Sequence, residues 1–286
     1  MQLIQFLFDW LRRLRPTWSN ELTHVTSFTK ELNVSLERMY ENAIDGAHLP
    51  HLHQSSFSEL TVIDEGTWGW RARGHLAPKS PFNGMLLELR LDRDKHRWIT
   101  KTLSGLGAGT EIWTHAIPLG DRKIKVIVDF YIPKLPKFLH SMYAQRLIDT
   151  YAQLYLEDEA MMQHRQAELD RKKGAKKPNS ATLDLGLAQE VTAKLPLSFE
   201  LGDQRFQLIM VNHTLIAHSA TCPHQLGPLD ELPVDTQNGV IECPWHGYRF
   251  SVHTGKCISG AKCQLTPNAN VAICKDSGHV IVSTAH

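Results

Sequence analysis

The 286-residue sequence contains no apolar run approaching the roughly 18–20 residues of a membrane-spanning helix. It also lacks an excess of either charge. Its 31 basic and 30 acidic residues are interspersed and leave a formal net charge of +1. That balance removes the electrostatic reason to expect a nucleic-acid partner. Cysteine is scarce: Cys222, Cys243, Cys257, Cys263 and Cys274 all lie in the last third. The odd count argues against a disulfide framework. Metal ligation is the better expectation for at least two of them, in a reducing, cytoplasmic setting. There is no Gly-rich nucleotide fingerprint and no internal repeat. Residues 1–15 are apolar first and basic afterwards, the reverse of a secretory signal. They read as a short amphipathic helix, stopped at Pro16, that packs on the protein body or on a neighbouring subunit, with an interfacial membrane anchor as the alternative.

The apolar content of 42% and the charged content of 21% suit a globular chain with a real core. Sixteen histidines hint at metal or proton chemistry. The fold class expected is α+β in two domains and a tether. Residues 1–170 read as helical elements, then an antiparallel sheet, then one long closing helix, a helix-grip-like layout. The sheet shows as short alternating runs such as 84–91 and 123–132, separated by turn signals. The helix shows as Leu139, Met142, Tyr143, Leu147, Tyr151, Leu154, Tyr155 and Met161 at spacings mostly of three and four. Residues 171–182 are charged and contain Gly174 and Pro178, as a linker does. Residues 183–286 read as a small all-β domain. Cys257, Cys263 and Cys274 have no ligand spacing of their own, so buried packing is expected of them.

Cys222-Pro-His224 is followed, after eighteen residues, by Cys243-Pro-Trp-His246. Two thiolates and two imidazoles on two loops suit a tetrahedral zinc, or a [2Fe–2S] cluster with two histidines on one iron. The one-residue gap in the first pair favours the cluster. The run Cys243-Pro-Trp-His-Gly-Tyr-Arg-Phe-Ser-Val-His-Thr-Gly-Lys-Cys257 resembles the second cluster loop of Rieske proteins. The likeness covers the whole second domain and is nearest the oxygenase and ferredoxin branch. It lacks the extra loop cysteines and the hydrogen-bonding Ser and Tyr of cytochrome-complex relatives. Gly227, Trp245, Tyr248 and Phe250 stand there instead, which implies a potential low in the Rieske range.

The first domain holds a second concentration, Glu41-Asn-Ala-Ile-Asp-Gly-Ala-His-Leu-Pro-His-Leu-His53. Two histidines and a carboxylate on one face of an iron leave positions open for O₂. On an unbroken helix, residues five apart point about 140° away from one another, at roughly 100° per residue. Pro50 interrupts the helix, so His48 and His53 can converge. By spacing alone His51 competes. The pattern Asn-x-x-Asp-x-x-His-x-x-x-x-His is similar to the mononuclear-iron motif of Rieske non-haem iron oxygenases. That resemblance implies His48 and His53 as iron ligands, Asp45 as the carboxylate bridging to the cluster and Asn42 as a neighbour of the iron. Residues 156–166 resemble the closing-helix motif of the monooxygenase and O-demethylase branch, which implies Asp158 as the third ligand. Glu157 and Glu159 are the alternatives. In most such oxygenases the Rieske domain comes first, so the order here is reversed.

The function these readings imply is that of a terminal oxygenase. It would take electrons from a ferredoxin or an NAD(P)H-dependent reductase at the [2Fe–2S] cluster. Mononuclear Fe(II) and O₂ would then oxidise a small apolar or aromatic substrate by hydroxylation, demethylation or desaturation. Trp68, Trp70, Phe82, Trp98, Trp113, Phe130 and Tyr131 are candidates for the pocket, at least half of them expected in the core instead. The resemblance also implies a head-to-tail homo-oligomer, commonly a trimer, in which the cluster serves a neighbour's iron. The reading from another class is a non-catalytic Rieske electron carrier whose first domain only binds or docks.

Overall fold

The computed structural model describes residues 22–174 and 181–284. The amphipathic helix expected over residues 1–15 lies outside them. The described chain enters on a strand, β1 (Leu22–Leu32), where helical elements are expected. Its Thr23, Val25, Thr26 and Thr29 are β-branched and suit a half-exposed edge strand. Helix α1 (Leu36–Ile44) follows, its first turn closed by Ser35, whose hydroxyl accepts the Arg38 N–H at 3.2 Å. The helix stops at Asp45, whose φ of −90° and ψ of 83° leave the helical region. A single 3₁₀ turn (Gly46–His48) and the short α2 (Leu49–Leu52) come next. The helix therefore breaks at Asp45, not at Pro50. Pro50 sits in the first turn of α2, where its missing N–H is not needed.

Strands β2 (Phe57–Gly66), β3 (Gly69–Leu76), β4 (Gly84–Asp92), β5 (Arg97–Gly105), β6 (Glu111–Gly120) and β7 (Lys123–Pro133) form an antiparallel meander. With β1 closing on β7, the order is β1-β7-β6-β5-β4-β3-β2. The register Ala72↔Leu87, Leu89↔Thr100 and Thr114↔Val128 lines up one apolar face across the sheet. Helix α3 (His140–Gly174) and α1 cover that face. Leu147, Tyr151, Tyr155 and Met162 from α3 join Met39, Trp70, Leu87, Leu89, Trp98 and Phe130 in one core. Met142 and Tyr143, counted in the expected stripe, are instead exposed.

Thirty-five residues of α3 span roughly 50 Å at about 1.5 Å per residue. The helix thus continues through Gly174, into the segment expected as linker, and the chain resumes as β8 (Thr182–Leu187). A short α4 (Ala188–Ala193) leads to β9 (Leu197–Leu201), β10 (Gln204–Val211), β11 (Thr214–Ser219), β12 (Val240–Glu242), β13 (Arg249–Ser251), β14 (Asn270–Ile273) and β15 (His279–Ser283). These make three small antiparallel sheets, β11-β10-β9, β12-β13 and β14-β15-β8. The fold is α+β: a sheet with a long helix, then a small, mainly β unit.

The far half of α3 packs on this second unit. Met161 enters the core that holds Cys222 and Cys243, and His164 meets the Trp245 ring edge-on at 5.5 Å. Glu168, 4% exposed, accepts the Thr221 hydroxyl at 3.3 Å and Arg171 at 2.6 Å, with Arg205 3.5 Å away. Burial pushes its carboxyl up, but the two guanidinium groups outweigh that and hold it below the usual glutamate value. Among the described residues no helix is long and apolar enough to cross a membrane.

Candidate metal centres

The break at Asp45 gives the first centre its shape. Asn42 projects from the last turn of α1, His48 from the 3₁₀ turn and His53 from the end of α2. The core-facing side of α3 brings Asp158 to meet them. His48, His53 and Asp158 are all buried, and one potential ligand atom from each lies within 4.8 Å of the others. Nε2 of His53 lies 3.1 Å from Asp158 Oδ1 and Nε2 of His48 lies 3.4 Å from it. Asn42 donates to the same oxygen at 2.8 Å. Burial pushes the Asp158 carboxyl up, but the two imidazoles outweigh it, so the group stays ionised far below the usual range.

The neighbouring acids separate cleanly. Glu157 receives His53 Nδ1 at 2.5 Å, on the side of the ring away from the triad, and is itself bonded by Gln153 at 2.6 Å. Glu159 turns outward to Lys30 and the Asn33 N–H. His51 does not join the triad either; its ring lies against Gly247 of the second unit. Both ring nitrogens of His48 are buried without a hydrogen-bond partner. Such groups are costly unless something else binds them. Two imidazoles and a carboxylate facing one point fit a divalent iron, and a carboxylate on the far ring nitrogen, as Glu157 is on His53, is the usual companion of a metal-binding histidine.

The second centre is built from two loops that repeat one backbone pattern. Cys222 N–H donates to Gly227 O and Leu226 N–H returns to Cys222 O. Likewise Cys243 N–H donates to Tyr248 O and Gly247 N–H returns to Cys243 O. The fourth residue after each cysteine is left-handed, Leu226 at φ 66° and Gly247 at φ 64°. A Cβ on Gly227 would sit 2.9 Å from Cys243 Sγ, so only glycine lets the loops approach this closely. The two thiols are 0% and 1% exposed, and the His224 and His246 rings meet edge-on at 4.5 Å. His246 Nδ1 is buried with no partner. Two thiols and two imidazoles disposed in this way fit a [2Fe–2S] cluster with its histidines on one iron.

One carboxylate joins the centres. Asp45 Oδ2 accepts from His246 Nε2 at 2.6 Å and from Gln225 Nε2 at 3.0 Å, and lies 3.9 Å from His48 Nδ1. Burial pushes the His246 imidazole down, but the Asp45 carboxylate reverses this and raises its pKa to about 9. His224, by contrast, is exposed. Gln225 and the His51–Gly247 contact carry no motif signal, and the motif offered Glu157 only as an alternative ligand to Asp158. They emerge only when α3 and the two loops are docked.

Beside the triad lies a cavity of about 120 Å³, lined by Met39, Phe57, Trp70, Leu87, Leu89 and Trp98, with Thr100, Thr114, Tyr151 and Tyr155. Of the seven aromatics proposed from sequence, only Trp70 and Trp98 line it. Phe130 is core and Phe82 is 72% exposed. Trp68 stacks under Arg90, and Trp113 packs against Arg97 and Tyr131. Burial pushes the Tyr151 and Tyr155 phenols up, so both keep their protons.

A search of curated proteins finds no match. Among solved structures, norcoclaurine synthase from Thalictrum flavum, in complex with dopamine and hydroxybenzaldehyde, is 18% identical. The match covers 49% of this chain and 87% of that one, with a TM-score of 0.39. The Zhui aromatase/cyclase of Streptomyces sp. R1128 is 12% identical over 51% of this chain and 96% of that one, TM-score 0.43. The ferredoxin of carbazole 1,9a-dioxygenase from Nocardioides aromaticivorans IC177 is 20% identical over 36% of this chain and 98% of that one, TM-score 0.31. Residues 182–270 match the family described as Rieske [2Fe-2S] domain, so the second unit of this chain is a Rieske domain with the electron-transfer role that such a cluster implies.

Proposed function

We propose that this protein is a Rieske non-haem iron oxygenase, with the cluster held by Cys222, His224, Cys243 and His246 and Fe(II) held by His48, His53 and Asp158. The observation that carries the reading is the 2.6 Å bond from His246 to Asp45, the residue that also approaches His48. An electron carrier needs only the cluster. It has no use for a buried His48–His53–Asp158 group placed one carboxylate away. When bound, the iron would supply activation of O₂ next to an apolar cavity.

The protein's own groups do the rest. Asp45, bonded to His246 and 3.9 Å from His48, would be the link between the centres, and His224 is the exposed edge that a ferredoxin or reductase would meet. Asn42 fixes the Asp158 carboxylate and Glu157 fixes the His53 tautomer, so ligand geometry is set before any substrate arrives. The cavity is well below the several hundred Å³ of a drug-sized site, which favours a small apolar or aromatic substrate. Its phenol and threonine hydroxyls would orient the polar end of that substrate. The His246–Asp45 bond joins the two units of one chain, which supports donation within a chain as the alternative to the head-to-tail trimer that the resemblance implies.

Iron and acid-labile sulfide, measured after anaerobic Fe(II) loading and desalting, test the reading. About three irons and two sulfides per chain are expected. His48→Ala should lose one iron and all O₂-dependent turnover while the cluster spectrum is unchanged. Two irons and two sulfides in the wild type, with His48→Ala indistinguishable from it, would make the protein an electron carrier.

A further inference from the structure

The Rieske unit carries a second thiol pair that neither centre uses. Lys256 and Gln264 form an antiparallel bridge, framed by Leu265 N–H donating to Gly255 O at 2.8 Å and Cys257 N–H donating to Cys263 O at 3.3 Å. The next rung of that ladder sets Cys257 directly opposite Cys263. Side chains directly opposite on an antiparallel pair leave the same face with Cβ atoms about 4.5–5.5 Å apart. A disulfide needs about 3.5–4.5 Å, so a small movement brings the sulfurs into bonding range. The intervening loop can give it: Gly260 is left-handed at φ 96° and has nothing within 4 Å of its missing Cβ.

The expectation of buried packing is met in part: both thiols pack against the cluster-side core but are only half-buried, in a largely exposed loop. The two thiols are electrostatically unequal. Burial pushes the Cys257 thiol up, but the Ser259 hydroxyl, 3.3 Å from the sulfur, and the N–H groups of Ser259 and Ala261 outweigh it and favour the thiolate. Burial and the facing Cys257 push Cys263 the other way. One thiol is therefore suited to attack and the other to resolve. Both pack against the core that contains Cys222 and Cys243, so the pair sits beside the cluster.

We infer that Cys257 and Cys263 form a peroxide-sensitive dithiol that closes to a disulfide next to the cluster. In the first step the Cys257 thiolate attacks hydrogen peroxide. An S–O bond forms, the O–O bond breaks, hydroxide leaves and Cys257 becomes a sulfenic acid. In the second step the Cys263 sulfur displaces that oxygen. An S–S bond forms, the S–O bond breaks, and the Cys263 proton leaves with the hydroxyl as water. Overall two thiols are oxidised and one peroxide is reduced to two waters. An external thiol reverses the change by exchange. The inference does not depend on iron in the first unit.

The test is peptide mapping of the cluster-loaded protein after hydrogen peroxide treatment and alkylation. A linked peptide joining Cys257 to Cys263, lighter by two hydrogens and restored by dithiothreitol, is expected while the cluster absorption persists. In Cys263→Ser the sulfenic acid cannot resolve, so dimedone should label Cys257. In Cys257→Ser, Cys263 should stay open to alkylation. Peroxide that bleaches the cluster with both thiols still alkylatable would overturn the inference. So would linkage of either thiol to Cys274. The wild-type map decides the matter even if neither variant retains its cluster.

Discussion

At Asp45 one carboxylate oxygen takes two donors from the Rieske unit, His246 and Gln225, and turns toward His48 of its own segment. A hydrogen bond to an ionised group is worth about 1.5–3 kcal/mol, and the carboxylate's charge favours the more positive, oxidised cluster. Asp45→Asn keeps the shape and removes the charge. The expected result is full loading of both metals, a raised cluster potential and cluster reoxidation slowed at least about tenfold, since each ~1.4 kcal/mol is a factor of ten. Gln225→Leu removes a neutral donor and keeps the charge, so its potential should barely move. Potentiometry and stopped-flow absorbance separate the two. Equal potentials for Asp45→Asn and wild type would mean that the carboxylate does not act on the cluster. Asn42, Asp45, His48 and His53 were legible in the sequence because they share twelve residues and one local break. Asp158 needed the family resemblance to be chosen over Glu157 and Glu159, since helix phase separates these acids only once the buried face is known. Gln225 was illegible because its partner lies 180 residues away.

Helix α2 and the second cluster loop approach each other closely at Gly247. Gly247 lies at φ 64°, and a Cβ there would come within 2.3 Å of His51 Cε1. Gly247→Ala therefore carries two penalties. The left-handed backbone costs about 1–2 kcal/mol, and the clash pushes α2 from the loop that presents His246. The single variant should lose thermal stability and electron transfer together. In the double variant with His51→Ala the clash is gone but the backbone strain remains, so electron transfer recovers and the melting temperature does not. If His51→Ala rescues neither, the contact does not set the distance between the centres. The runs 84–91 and 123–132, now β4 and β7, could be read from alternation and turn residues. The edge strand β1 could not, because a half-exposed strand with polar residues on both faces lacks the apolar period that reveals the others. The helix break was expected from Pro50 but falls at Asp45, where leaving the helix frees the carboxylate to face the Rieske unit.

Over the whole molecule α3 is the strut that holds the centres together. Asp158 belongs to the His48–His53–Asp158 triad, Met161 to the cluster-side core and Glu168 to the Thr221–Arg171–Arg205 clamp. All three lie within eleven residues of one helix, so the triad and the cluster loops are referenced to one rigid element. Under the proposed function that arrangement supports intrachain donation despite the reversed order of the units, and mixing two variants tests it. His48→Ala keeps a working cluster and Asp45 but loses its own iron site. His246→Ala keeps Asp45 and the iron site but loses the donor. If electrons cross between neighbours in a ring, a mixture refolded or exchanged together should regain turnover, because one chain's cluster can serve the other's iron. If they stay within the chain, the mixture should remain as inactive as its components at every ratio. The single-chain His246–Asp45 bond predicts the second outcome, with wild-type turnover per chain independent of protein concentration through any dissociation. Recovered turnover in the mixture would instead mean that the working contact is made between copies.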